Sequence, residues 1–385
     1  MNLIGFQYNR SPLDRSKRLS PSVINRVALI DGLLRDAGMR LFVYAPHDIV
    51  AGDETVPGHV FENGTFQSAR AEVPAVNGNW THRTRRFLDK GMGYREFGSW
   101  AKERRLGIYV PHAFSELIGN KHETYKLVRG FHETLHPHCE TFSGRTRQLQ
   151  HFAETGNLIF LKPRTGSKGE RIVTLRRNGS GLTVTYYHAG EQRTQEARSL
   201  REASKFVRGL VDDKKRYVIQ HGVETMRHDG STFDIRVTML HDGEVWHWLH
   251  EARLSREGSD VSNVKQGGRT VVTEDLLDDL LGHEGAQQVL YELQSESFGL
   301  AAYLERLHPG AILEVAFDFV IDREGRLRLL EINTKPGLAG IGADISVFDK
   351  RPEHEPGFER WVYPHTRHLA GFLMRKALTR SSALG

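Results

Sequence analysis

The chain has 385 residues, 38% of them apolar and 26% charged, which is long enough for two or three domains and ordinary for a globular enzyme. No run of about 18 apolar residues occurs, and the first ten residues lack the charged-then-apolar layout of a signal peptide, so neither a membrane span nor secretion is expected. The net charge of +5 permits acidic partners without demanding them, and no block of five or six like charges occurs, so nucleic acid is not expected either. A single cysteine, Cys139, excludes an intramolecular disulfide and fits a reducing cytoplasm.

The first 115 residues read as α/β. A strand is predicted over 3–7, an amphipathic helix over 20–37 and a strand over 39–45, with Gly38 as the stop between helix and strand. Such a unit makes a parallel pair with a right-handed crossover. Residues 48–80 are rich in glycine, proline and asparagine and read as hairpins or loops. A helix is predicted from 120 to about 136, strands over 157–163, 172–176 and 182–188, a helix over 199–210 and a strand over 217–220. A hairpin follows over 233–240 and 245–253, turning at Asp242-Gly243, and residues 276–307 carry apolar positions at helical spacing. A second hairpin covers 315–321 and 326–333, and a helix over 365–378 closes the chain. Strands and helices alternate irregularly after residue 115, so this part reads as α+β.

The second hairpin carries Asp318, Glu331 and Asn333, spaced 13 and 2 residues apart. Its short turn, Asp322-Arg323-Glu324-Gly325, brings Asp318 near Glu331, and a period of two places Glu331 and Asn333 on one face. Two carboxylates and an amide oxygen are hard ligands, suited to Mg²⁺ carrying phosphates rather than to zinc. A half-buried hairpin with polar residues at its rim explains the same pattern without a metal. After Lys162, a loop bearing Gly166, Ser167, Lys168 and Gly169 could fold over phosphate, although it is no Walker A loop; the alternative is a surface hairpin tip. Asp234 and Arg236 share a strand face, Arg253 lies on the returning strand, and Asn263 with Gln266-Gly267-Gly268 forms a second glycine-bearing loop. Arginines beside phosphate neutralise charge that develops during phosphoryl transfer. A competing motif is His132-Glu133-Thr134-Leu135-His136, the H-E-x-x-H of zinc hydrolases. Pro137 disfavours helical geometry at His136, and Cys139 stands where the metzincin extension needs glycine.

In this order the motifs resemble the ATP-grasp superfamily, and more closely its YheC/YheD group of endospore coat-associated proteins, with relatives among glutamate ligases and D-alanine–D-alanine ligases. Asn120-Lys121 resembles the opening of the family's central domain, Leu161-Lys162-Pro163 and its loop the second nucleotide lysine and phosphate loop. Tyr217 through Gln220, His221, Gly222, Val223 and Glu224 resembles the strand that meets adenine, followed by an acid for the ribose. Asp318, Glu331 and Asn333 match the magnesium signature, and Asn333 through Gly337 is similar to the N-x-x-P-G of D-alanine–D-alanine ligases. Arg171 departs from the pattern, standing where glycine is common, and Lys168 adds a charge.

The resemblance implies an ATP-grasp fold with a Rossmann-like N-terminal domain (1–115), a central lid domain (116–222) and a C-terminal catalytic domain (223–385). It implies a carbon–nitrogen ligase in the cytoplasm that activates a carboxylate as an acylphosphate and joins it to an amine, an amino acid or peptide, forming an amide or peptide bond. ATP would be held by Lys121, Lys162, Gly166, Ser167, Gly169, Gln220, His221, Gly222, Val223, Glu224 and Asn263. One or two Mg²⁺ ions, with Mn²⁺ as a substitute, would sit on Asp318, Glu331 and Asn333, with Arg236, Arg253 and Asn333 as the catalytic groups. His112, Arg83 and Arg269 are acceptor-binding candidates, and a homodimer stays open. The alternatives are a nucleotide-binding structural or regulatory protein of a spore-coat-like assembly and, more remotely, the zinc hydrolase.

Overall fold

The computed structural model describes residues 2–8, 21–50, 52–79, 94–109, 112–166, 171–179, 181–188, 191–211, 216–255, 269–334 and 363–382. β1 (Asn2–Gln7), α1 (Pro21–Asp36) and β2 (Met39–Tyr44) form the predicted strand–helix–strand unit, with β1 and β2 parallel. Gly38 adopts φ 72° and its amide donates to the Arg35 carbonyl, which ends α1 and turns the chain into β2. The loop-rich stretch contains the hairpin β3 (Val56–Glu62) and β4 (Thr65–Ala71), then β5 (Val76–Asn79). With α2 (Tyr94–Glu103) and β6 (Gly107–Tyr109) this completes a sheet of order β4-β3-β2-β1-β5-β6.

The next segment opens with α3 (His112–Ile118) and α4 (Lys121–Phe131). Asn120 caps α4 by accepting from the His122 amide. Here the structure corrects the sequence reading, because α4 ends at Phe131 and not near residue 136. His132 is extended (φ −146°), and Leu135 instead enters the core while its carbonyl accepts from the Leu329 amide. Burying Leu135 against the sheet outweighs a further helical turn, which Pro137 also disfavours at His136.

β7 (Cys139–Thr141), α5 (Thr146–Thr155), β8 (Leu158–Pro163), β9 (Val173–Asn178), β10 (Gly181–His188), β11 (Glu191–Ala197), α6 (Leu200–Leu210) and β12 (Tyr217–His221) follow. Their strands form an antiparallel sheet of order β11-β10-β9-β8-β12-β7. Its core joins Leu161, Leu175 and Ile219 of the sheet to Phe152 of α5 and Val207 of α6.

The last segment comprises β13 (Arg227–His228), β14 (Ser231–His241), β15 (Trp246–Leu254), β16 (Arg269–Val271), α7 (Thr273–Leu307), β17 (Glu314–Ile321), β18 (Leu327–Asn333) and α8 (Tyr363–Ser382). The antiparallel sheet runs β16-β15-β14-β17-β18. Ile235, Val237, Phe317 and Phe319 pack with Leu293, Leu300 and Leu304 of α7. Each such buried side chain contributes about 1.5–3 kcal/mol. Alternation along the strands sends Asp234, Arg236 and Asp318 to the opposite face. α7 breaks at Gly282, whose φ of 70° lies outside the helical region. α8 shares the core of the first sheet, where Leu369, Phe372 and Leu373 meet Ile4, Leu34 and Met39.

Candidate active site

The hairpin of β17 and β18 is closed by its own turn. Asp322 Oδ1 accepts from the amides of Glu324 (3.1 Å) and Arg326 (2.8 Å), and Gly325 adopts φ 82°. From the turn, Ile321 pairs with Leu327 and Phe319 with Leu329; the register then slips by one, so that Asp318 opposes Glu331 and Ala316 opposes Asn333. Leu330 is the extra residue of this bulge. Without it Asp318 would oppose Leu330, and Glu331 would oppose Phe317 on the face that packs against α7. The bulge is what puts both carboxylates on the polar face.

On that face Asp318 is the hub. Arg236 grips it with two parallel bonds of 2.8 Å, from Nε to Oδ1 and from Nη2 to Oδ2. Arg253 Nη2 lies 3.2 Å from Asp318 Oδ2 while its Nε donates to Asp234 Oδ1 at 2.6 Å. Asn333 Nδ2 donates to Asp318 Oδ2 at 3.0 Å, which leaves its amide oxygen pointing elsewhere. Burial alone would raise Asp318, but Arg236 and then Arg253 reverse this and hold its carboxyl well below the ordinary carboxylate range.

Register explains how residues remote in sequence meet here. Arg236 is the cross-strand partner of Asp318 on one side and of Glu251 on the other, and Asp234 is the partner of Arg253. Glu251, which the sequence reading did not single out, is 2% exposed, and among the described residues neither of its carboxylate oxygens has a hydrogen-bond partner. Burial pushes its carboxyl up to about 7, against the pull of Arg253 and Arg236. Its position two residues before Arg253, on the same strand face, was the available signal.

The two lysines come from the start of α4 and from β8. Lys121 Nζ donates to the Gly166 carbonyl at 2.9 Å, its amide donates to the Arg164 carbonyl, and Asn120 bridges to Thr165. Lys162 lies on β8, beside β12. Burial, then Lys121, lowers Lys162 to about 8, while Glu331 opposes the fall. Glu331 is raised by burial and drawn back by Lys121 and Lys162. Four carboxylates (Asp234, Glu251, Asp318, Glu331) therefore stand with four cations (Arg236, Arg253, Lys121, Lys162), and each has a neighbour of opposite sign. A polyphosphate added to this balanced set needs further positive charge, and the Glu331 carboxylate and the Asn333 amide oxygen are donors of the hard type that Mg²⁺ takes. The residues present fit that ion.

β12 carries the residues that the resemblance assigns to the nucleotide. Gln220 is buried, and His221 Nε2 lies 3.0 Å from Thr155 Oγ1 while the ring packs on Phe152. The Gly222 amide donates to the Leu158 carbonyl, and a Cβ there would come 2.2 Å from Leu158 Cγ, so the close approach requires glycine. Glu224 is held by Arg176 (2.7 Å) and Arg323 (3.6 Å), and Val223 lies between these residues. Gly166 adopts φ 128°, and Arg171 adopts φ 59°, a left-handed conformation that favours the glycine missing there. Ser167, Gly169, Asn263 and Arg83 lie outside the described residues, as do Lys168, Gln266 and the chain from Lys335 through Gly337. Of His112 only the backbone is described, and Arg269 is exposed at the start of β16.

His132 through His136 is not a helical zinc motif. The segment lies past the end of α4, Glu133 pairs with Arg129 at 2.9 Å, and His132 pairs with Glu296 at 3.2 Å. His136 is buried with Nδ1 2.9 Å from the Pro137 carbonyl, and burial pushes it down to about 4. Without a continuous helix the two imidazoles no longer stand one turn apart on one face. Elsewhere, Asp242, His247 and His368 hold ligand atoms within 4.8 Å of one another, with Arg375 3.4 Å from the Asp242 carboxylate. No described helix is long and apolar enough to cross a membrane.

A family model described as "YheC/D like ATP-grasp" matches residues 111–344. The chain belongs to the YheC/D-like ATP-grasp family. The match covers α3 through β18, and with them the second and third sheets. Over 363 residues the chain is 23% identical to the endospore coat-associated protein YheD of Bacillus subtilis (strain 168), covering 91% of this chain and 74% of YheD. Its fold is similar to that of D-alanyl-alanine synthetase A from Vibrio cholerae O1 biovar eltor, with a TM-score of 0.51 at 11% identity over 98% of this chain and 99% of that one. It is also similar to the ATP-grasp ligase PsnB complexed with minimal precursor, Mg and ADP, with a TM-score of 0.50 at 14% identity over 95% and 98% of the two chains. At these identities the structural likeness concerns the ATP-grasp fold alone: a Rossmann-like N-terminal domain, a central lid and a C-terminal catalytic domain. Family and fold together support an ATP-dependent ligase in general terms.

Proposed function

We propose that the chain is an ATP-dependent carboxylate–amine ligase that forms an amide or peptide bond through an acylphosphate, releasing ADP and phosphate. The observation that supports it most is the polar sheet face on which Asp318, Glu331 and Asn333 stand with Arg236 and Arg253, with Lys121 and Lys162 close enough to act on Glu331 electrostatically. Mg²⁺, when bound by Asp318, Glu331 and Asn333, would neutralise the phosphates of ATP and bridge them to the protein. Lys121 and Lys162 would hold those phosphates, with Gly166 and its loop closing over them and β12 receiving the base. Arg236 and Arg253, pre-aimed by Asp318 and Asp234, would stabilise charge on the transferring phosphoryl group. A carboxylate oxygen of the first substrate attacks that phosphorus, ADP leaves, and the amine then displaces phosphate from the acyl carbon. No enzyme nucleophile is required, because positioning and fixed charges lower the barrier.

PsnB was solved with a precursor, Mg and ADP, and the synthetase from Vibrio cholerae is named for joining alanines, so amino acid or peptide substrates fit this reading. The name of YheD favours a second one, a nucleotide-binding protein of a spore-coat-like assembly. Glu331→Ala tests the first. It should abolish ATP turnover, measured as ADP release with panels of amino acids and peptides, while circular dichroism stays that of the parent. Unchanged turnover would overturn the metal assignment. Wild-type protein that binds ATP but releases no ADP with any pair would favour the second.

A further inference from the structure

We propose that Glu251 is the residue that receives the acceptor amine: its carboxylate holds the incoming ammonium beside Arg236 and takes a proton from it. The assignment rests on the ligase reading above and names a residue for its second half-reaction.

Three observations carry it. Glu251 is 2% exposed and both its oxygens lack a partner among the described residues, although an orphaned buried acceptor costs on the order of 1–3 kcal/mol, and more when charged. A position of that kind is retained where a ligand completes it. Glu251 also occupies the right place, directly across β14 from Asp318, with Arg236 between them. An acyl group held at Arg236 would therefore lie between the phosphate side of the face and Glu251. Finally, the charges around it are already matched. Arg236 is committed to Asp318 by two bonds, and Arg253 to Asp234 and Asp318, so neither guanidinium is bonded to Glu251. A monocation with N–H donors balances it. A divalent metal is a poorer occupant, because the direct cross-strand partner of Glu251 is the Arg236 guanidinium, and the nearby carboxylates of Asp234 and Asp318 are already bonded to Arg253 and Arg236. A carboxyl pushed up to about 7 by burial is also well matched to exchanging a proton near neutral pH.

The step balances. An ammonium gives one proton to Glu251, and the amine lone pair attacks the acyl carbon. The bond from that carbon to the phosphate oxygen breaks with its electron pair on phosphate. The second N–H proton leaves with inorganic phosphate, and protonated Glu251 returns its proton to solvent. An alcohol acceptor brings no charge to such a site, so the arrangement favours amines.

The test uses the full chain with Mg²⁺ and ATP, the twenty proteinogenic amino acids as carboxylate donors, and two nucleophile probes. Hydroxylamine, largely uncharged at neutral pH, traps an acylphosphate as hydroxamate; amino-acid amides such as glycinamide bring an ammonium and no carboxylate. In Glu251→Gln we expect amide-dependent product to fall by about 100-fold or more, while hydroxamate formation falls by less than about 3-fold. Glu251→Asp should recover part of the amide reaction. Equal losses with both probes, or no loss with either, would overturn the proposal. So would wild-type protein that forms hydroxamate but accepts no amide. Wild-type protein that forms no hydroxamate with any donor would instead remove the ligase reading itself, and this assignment with it.

Discussion

Replacing Glu251 with glutamine should change how stability depends on pH, by an amount set by burial. The carboxyl has an ordinary value of 4.5 and is raised to about 7 in the folded protein, because it is buried without a hydrogen bond. A group raised on folding contributes fully below its unfolded value and loses that contribution as pH rises through the folded one. The wild type therefore carries no penalty near pH 4, a growing one between about 4.5 and 7, and a plateau above about 8. At 1.36 kcal/mol for each pKa unit, the rise from 4.5 to about 7 sets that plateau at about 3 kcal/mol. An amide at the same position does not titrate, so any cost of burying it is the same at every pH. Urea denaturation of both proteins at about pH 5 and pH 8.5 should show Glu251→Gln gaining about 2–3 kcal/mol on the wild type between the two conditions. Parallel stability curves would refute the reasoning, because they would mean that the carboxylate is solvated or partnered.

Two further outcomes follow from the same face. Asp318→Ala removes the charge shared by Arg236 and Arg253 and should destabilise the protein by about 3–5 kcal/mol, seen as a lower urea midpoint; a loss under about 1 kcal/mol would mean that solvent screens both arginines. Lys162, lowered to about 8, should take up a proton when ADP brings its phosphates, because a nearby anion favours the charged form. Calorimetry at pH 8 in buffers of different ionisation enthalpy should register uptake of up to about half a proton, and nucleotide affinity should weaken above pH 8; proton release on binding would contradict the lysine's role.

Much of this architecture was legible from local pattern. The strand–helix–strand start, the Gly38 stop and both hairpins follow from alternation and turn chemistry, and these signals lie within a few residues of one another. β7, α5 and β11 were missed, since Cys139–Thr141 is only three residues long and Glu191–Ala197 is mostly exposed and carries no apolar alternation. The length of α4 was overread because its apolar spacing continues to Leu135, which in the fold is buried from a turn against β18. Glu251 carried no motif. A two-residue turn at Asp242-Gly243 would have set it opposite Asp234, whereas the turn of four residues, 242–245, sets it opposite Arg236.

The sequence by itself determined which residues alternate, where the chain turns, and that hard oxygen ligands, lysines and arginines occur in the ATP-grasp order. Only the tertiary structure decided how they meet: the Leu330 bulge that turns Glu331 away from the α7 core, the four-residue turn that sets Arg236 between Asp318 and Glu251, and the packing of α8 on the first sheet. The division has one physical cause. Local preferences differ by tenths of a kcal/mol and leave neighbouring registers nearly equal, whereas burying Phe317, Phe319 or Phe372 on the correct face is worth about 1.5–3 kcal/mol each and selects among them.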